Sequence, residues 1–119
     1  MTNSQQLEQY AHFHKAMAEP VRLRILALLS QQKSLCVCDL VSVLQLSQST
    51  VSRHLSYLKN HGIVESWREG NWMHYALLNE HPFQAVVAES MRGLSQLDLI
   101  KEDLSALEKY QQSPRQCNL

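Results

Sequence analysis

The chain predicts a mainly α winged helix-turn-helix fold, and two observations carry that prediction. A short helix, the three-residue break Gln45-Leu46-Ser47 and a second helix with a polar front half follow one another within residues 36–60. Directly after them, Ile63, Glu65, Trp67, Trp72, His74 and Ala76 alternate with Val64, Ser66, Arg68, Met73, Tyr75 and Leu77 on either side of Glu69-Gly70-Asn71, a period of two that reads as a β-hairpin wing.

Residues 6–17 read as a first helix, with Leu7, Tyr10, Ala11, His14 and Met17 near helical spacing. Pro20 suits the first position of a second helix, which VRLRILALL continues with Val21, Ile25, Leu28 and Leu29 on one face. Residues 36–44 read as the third helix. Ser47 caps the fourth, QSTVSRHLSYLKN, whose buried stripe is Val51, Leu55 and Leu58, and Gly62 stands just past its end. His81-Pro82 opens a last helix, in which Val87, Met91, Leu94, Leu97, Ile100, Leu104 and Leu107 recur at spacings of three and four. One small domain cannot easily cover so long a stripe, so a partner helix from a second protomer is expected over it. Residues 1–110 are thus expected to form one DNA-binding and dimerisation domain, with 111–119 a flexible tail.

Composition narrows the class. At 119 residues the chain suits one domain that buries roughly two-thirds of its unfolded surface without disulfides. Its odd count of three cysteines argues against a secreted disulfide framework, and no apolar run approaches the ~20 residues of a membrane span. The N-terminus lacks a signal-peptide core, which places the protein in a reducing cytoplasm with thiols available for metals. Eleven basic residues balance eleven acidic ones, so net charge alone gives no support for nucleic-acid binding. Setting aside the acid-rich block 98–108 leaves the remainder at net +3. Three glycines are too few for phosphate loops, and no nucleophile–base–acid constellation is visible, so an enzyme is not expected.

A helix that enters the major groove needs polar residues at its front and an apolar face behind. Gln48, Ser49, Thr50, Ser52, Arg53 and His54 meet that need, and Arg68 and Gly70 on the wing would meet the backbone of double-stranded DNA. Trp67 and Trp72 suit the hairpin's own core better than base stacking.

EPVRLRILALL, LCVCDL, LSQSTVSRHLSYLKNHGIV and REGNWMHYAL together resemble the ArsR/SmtB family of metalloregulatory repressors, with CVCDL marking its arsenical-responsive type. The resemblance implies a homodimer joined through the first and last helices, binding an operator and released when As(III) or Sb(III) binds Cys36 and Cys38. Where arsenite-responsive relatives carry a third cysteine after CVCDL, this chain has Val41, so the third ligand is left open between Cys117, a histidine and solvent. No resident cofactor is implied. Soft thiolates also suit Cd(II) or Pb(II), and His12 or His14 from a partner leaves Zn(II) open. The last helix lacks the paired His and acid spacing of a zinc site, and His81 alone does not make one.

Cys36 falls at the N-cap of the third helix with Asp39 at the acid position of a capping box, and Cys38 falls at the second helical position. Amide groups there favour thiolate. Within a regular helix residues two apart point about 200° apart, so gripping one ion with both sulfurs is expected to distort the first turn. The alternatives are a redox sensor, with Cys36 oxidised and paired to Cys38 or Cys117, and a pure dimerisation module built on residues 84–110.

Overall fold

The computed structural model describes residues 2–80 and 82–113. Its elements run α1 (Asn3–Met17), α2 (Pro20–Leu29), β1 (Leu35–Cys36), α3 (Val37–Leu44), α4 (Gln48–Asn60), β2 (Val64–Glu69), β3 (Trp72–Leu77), α5 (Gln84–Leu94) and α6 (Asp98–Gln111). The winged helix-turn-helix prediction is borne out. Several details differ from expectation, each for a physical reason.

Helix α1 begins earlier than expected because Thr2 caps it. The Thr2 hydroxyl accepts from the Gln5 amide at 3.1 Å, and Gln5 Oε1 accepts in turn from the Thr2 amide at 2.7 Å. Its buried residues are Phe13 and Ala16, while Leu7 and Tyr10 from the expected stripe are exposed at 72% and 52%. Phe13 decides the orientation by stacking on Phe83, with ring centroids 4.2 Å apart. The outer face of α1 thus presents apolar side chains to solvent.

Helix α2 starts at Pro20 as expected, and Ile25 through Leu29 form the centre of the core with Leu40, Val51, Leu55, Leu58 and Ile63. Gln45, the left-handed residue that closes α3 (φ 57°), lets the chain turn sharply into α4, which Ser47 caps by accepting from the Thr50 amide. Gly62 at φ 71° releases the chain from α4 into the wing.

The wing pairs in the register the alternation implies, Val64 opposite Leu77 through Glu69 opposite Trp72. Gly70 (φ 61°) takes the first position of the two-residue loop, where positive φ is required. A third strand is present that no sequence pattern signals. Leu35 and Cys36 pair antiparallel with Tyr75 and His74, so the sheet order is β1-β3-β2. Two residues are too short for a period-two pattern to show.

The last helix requires the largest correction. It starts at Gln84, with Phe83 as its cap residue, rather than at Pro82, and it breaks in two. Gly93 weakens the helix, the Ser95 hydroxyl donates to the Arg92 carbonyl at 2.7 Å, and Leu97 is extended. Helix α6 therefore folds back onto α2 and α3 of its own chain. Ile100 and Leu107 are buried there and Leu104 is partly buried, so the stripe expected to need a second protomer is largely covered from within. Asp103 fixes the fold-back, its carboxylate accepting from Arg24 Nε at 2.8 Å and from a terminal guanidinium nitrogen at 3.0 Å. This pairing raises the Arg24 pKa, chiefly through the hydrogen bond, against an opposing effect of burial.

Asp103→Ala should detach α6 and lower stability by roughly 1.5–3 kcal/mol, the worth of hydrogen bonds between charged groups, read from the urea unfolding midpoint. An unchanged midpoint would show that α6 does not depend on this pair.

Candidate DNA-reading face and thiol sensor

Two sites flank α3. The first is the outer face of α4. Gln48, Ser49 and Arg53 are exposed there, and Thr50 and Ser52 are half-buried along the same front. The Ser47 hydroxyl, besides capping the helix, lies 2.9 Å from Thr50 Oγ1 and 3.2 Å from Ser49 Oγ, so the first turn is pre-ordered. Arg68 and Gly70 are exposed on the wing. Trp67 stacks on His74 at 6.0 Å and its indole donates to Glu69, which places it in the hairpin as expected.

His54 departs from the expected row. It is only 7% exposed because it faces α2, where Arg22 lies 3.3 Å from its Nδ1. Burial lowers its pKa; Glu19 opposes that effect, and Arg53 and Arg22 add to it. Glu19 Oε2 lies 3.7 Å from the same Nδ1 and Arg53 lies 3.5 Å from Nε2, so the ring sits between two guanidinium groups and a carboxylate. No local sequence pattern marks the role of Arg22. Its guanidinium lies 4.2 Å from the Tyr57 ring centroid and donates to the carbonyls of Ala16 and Lys15, tying the end of α1 to the back of α4.

The second site is the start of α3. Cys36 has extended backbone geometry and is the N-cap. Its sulfur accepts from the Asp39 amide at 3.4 Å, and Asp39 Oδ2 accepts from the Cys36 amide at 2.8 Å, so the capping box is present as expected. All three residues of this turn that carry chemistry are buried: Cys36 at 1% exposure, Asp39 at 1% and Cys38 at 6%. Asp39 Oδ1 also accepts from the Tyr110 hydroxyl of α6 at 2.8 Å, a contact no local pattern could announce across 71 residues. Cys36 is a buried thiol, whereas Cys38 stands in a disulfide, so the two sulfurs of the motif are not joined to each other. Cys117 and His81 lie outside the described residues.

Two soft sulfurs two residues apart suit a thiophilic ion once both are thiolates. Among the described residues no three of His, Cys, Asp and Glu gather where they would hold a metal ion, so the donor set of a structural zinc cage is not assembled from them. Among those residues, too, no helix is long and apolar enough to cross a membrane.

Residues 19–66, which hold α2, α3, α4 and the start of the wing, match the family described as bacterial regulatory protein, arsR family. The chain is 40% identical over 80 residues to the arsenical resistance operon repressor of Escherichia coli, covering 66% of this chain and 68% of that one. Reduced HlyU from Vibrio cholerae superposes with a TM-score of 0.69 at 32% identity, over 78% of this chain and 96% of that one. The solution structure of a homodimeric winged helix-turn-helix domain from Mycobacterium bovis, a possible ArsR-family regulator, superposes at 0.65 with 29% identity, over 82% of this chain and 94% of that one. A winged helix-turn-helix of this kind defines a DNA-binding transcriptional regulator and not an enzyme. The chain belongs to the ArsR/SmtB family of transcriptional repressors.

Burial lowers the pKa of His54 and of His61, in each case as the largest effect. The unfolded chain then binds more protons than the folded one below the ordinary histidine value, so stability falls as pH drops through about 6.5. The loss stops once the folded-state values are passed. His54→Gln should flatten the slope of unfolding free energy against pH between about 7 and 5; an unaltered slope would remove His54 from the cause.

Proposed function

We propose that the chain represses transcription as a homodimer and is released from its operator when As(III) or Sb(III) is captured by Cys36 and Cys38. One observation carries the reading: the Cys36 sulfur is itself the N-cap acceptor of α3. Bringing that sulfur onto one ion with the Cys38 sulfur turns it away from the Asp39 amide, because residues two apart in a regular first turn point about 200° apart. Ion capture and the present cap geometry therefore compete.

Two routes lead from the cap to the DNA face. Helix α3 ends in the tight turn at Gln45 that sets the start of α4. Cys36 also pairs with His74 of β3, so the same residue is tied to the wing. Operator half-sites are about 34–36 Å apart, and a shift of both reading helices in a dimer weakens both contacts together. Self-association is supported by the exposed Leu7 and Tyr10 of α1 and by Leu97 and Leu99 at the start of α6. In the last helix, the contact would thus fall to its N-terminal edge, since the rest of its apolar stripe is turned inward.

The third donor in this reading is Cys117, a histidine or solvent, and chain length leaves Cys117 within reach. Ser113 is three residues beyond Tyr110, whose hydroxyl touches Asp39, and the four residues from Ser113 to Cys117 can span up to roughly 14 Å. Exposed Gln48, Ser49 and Arg53, with Thr50 and Ser52, read the operator. Arg68 and Gly70 meet its backbone, while His54 is turned to Arg22 of α2.

A second reading has its own support: Cys38 stands in a disulfide, as a thiol-oxidation sensor requires. Here the oxidised member of the motif is Cys38, not Cys36. Capture of an ion needs that bond reduced, so the two inputs are separable.

With the reduced dimer, Cys36→Ser and Cys38→Ser should each keep operator affinity and lose arsenite release in a fluorescence-anisotropy titration; normal release by either variant defeats the ligand assignment. Release by peroxide with indifference to arsenite would favour the oxidation reading. Arg53→Ala should weaken operator binding and, if its contact is to phosphate, lower the slope of log affinity against log salt by about 1. Unchanged affinity would count against α4 as the reading helix.

A further inference from the structure

Asp39 is a carboxylate at 1% exposure, and an ionised group so placed depends on its donors. One of them, the Cys36 amide, belongs to the cap itself. Another, the Tyr110 hydroxyl, comes from a separate helix that the Arg24–Asp103 pair and the buried Ile100 and Leu107 hold in place. We infer that Tyr110 is a positioning residue of the sensor: its hydroxyl holds Asp39 on the cap of α3 and so sets how readily the Cys36 turn opens to an ion. The inference rests on the ion-capture reading and adds α6 to the apparatus that governs it.

The physics is a competition between two states of one carboxylate. With the turn closed, Asp39 is dry and accepts from Tyr110 at 2.8 Å. When Cys36 leaves the cap, Asp39 loses its amide partner and gains access to water. Opening therefore exchanges the Tyr110 bond for hydration. Without the hydroxyl, the closed state keeps a buried charge with one donor fewer while the open state is unaffected. The equilibrium then moves toward the open turn, and the ion binds more tightly by the same factor.

Tyr110→Phe tests this, because it removes one oxygen and keeps the ring packed against the core. Protein reduced with a phosphine is titrated with As(III) twice, once free, by thiolate–arsenic charge-transfer absorbance, and once bound to operator, by anisotropy. Both half-saturation concentrations should fall about tenfold, in line with one hydrogen bond to a charged group, while operator affinity without ion stays within twofold. In ion-free protein, hydrogen exchange at the amides of Val37 to Leu40 should accelerate in the variant. Ile63→Val, a core change under the wing, serves as the control for a general loss of stability and should leave both midpoints where they were. Unchanged midpoints, unchanged exchange at Asp39, or an equal shift in the Ile63 variant would each overturn the inference. Binding of As(III) without operator release would overturn the repressor reading and leave the Tyr110 comparison standing on the absorbance titration.

Discussion

The reciprocal bond between Cys36 and Asp39 is the constraint around which the rest of the molecule is arranged. A helix of eight residues, Val37–Leu44, has little stability of its own, and its start is fixed by one sulfur–amide contact and one amide–carboxylate contact. Helix α4 and the wing, the elements proposed to meet DNA, are attached downstream of that start. The left-handed Gln45 converts the direction of α3 into the direction of α4, and the pairing of Cys36 with His74 sets where β3 runs. A serine in the cap would accept the same bond as well or better, so holding a helix does not account for a cysteine there. Sulfur has an affinity for soft ions and oxidants that a serine oxygen lacks, which is what the proposed sensor role uses.

The supporting structure keeps the alternatives few. Arg22 spans the end of α1, the Tyr57 ring and His54, so the back of the reading helix is held by cation–π and carbonyl contacts as well as by Val51, Leu55 and Leu58. Helix α6 closes α3 from the other side. Between these two braces lie the first turn of α3 and the turn before α4, the segments that connect the thiols to α4.

Much of this was legible in the chain. Pro20 marks the start of α2, Ser47 and Gly62 bracket α4, and the period of two around Gly70 marks the hairpin, because each rests on a local rule. The Cys36 cap was readable from Asp39 three residues later. What failed to show is what depends on distant partners. The stripe from Val87 to Leu107 is the same whether a second chain or the chain itself covers it, and the break at Gly93 to Leu97 decides for the latter. His54 looks like any polar residue at the front of a helix until α2 is placed behind it. Leu7 and Tyr10 have core spacing, yet Phe13 wins the inner position by stacking on Phe83.

The contact between Tyr110 and Asp39 joins residues 71 positions apart, near the opposite end of the chain. On a ribosome, α2, α3 and the wing emerge long before the phenol that reaches Asp39. During that interval a nascent chain has its reading helix made but its first α3 turn unbraced, since closing so long a loop comes late. A polypeptide cut short after α5 would remain in that condition permanently, carrying the DNA face complete and the cap of α3 without its support from behind.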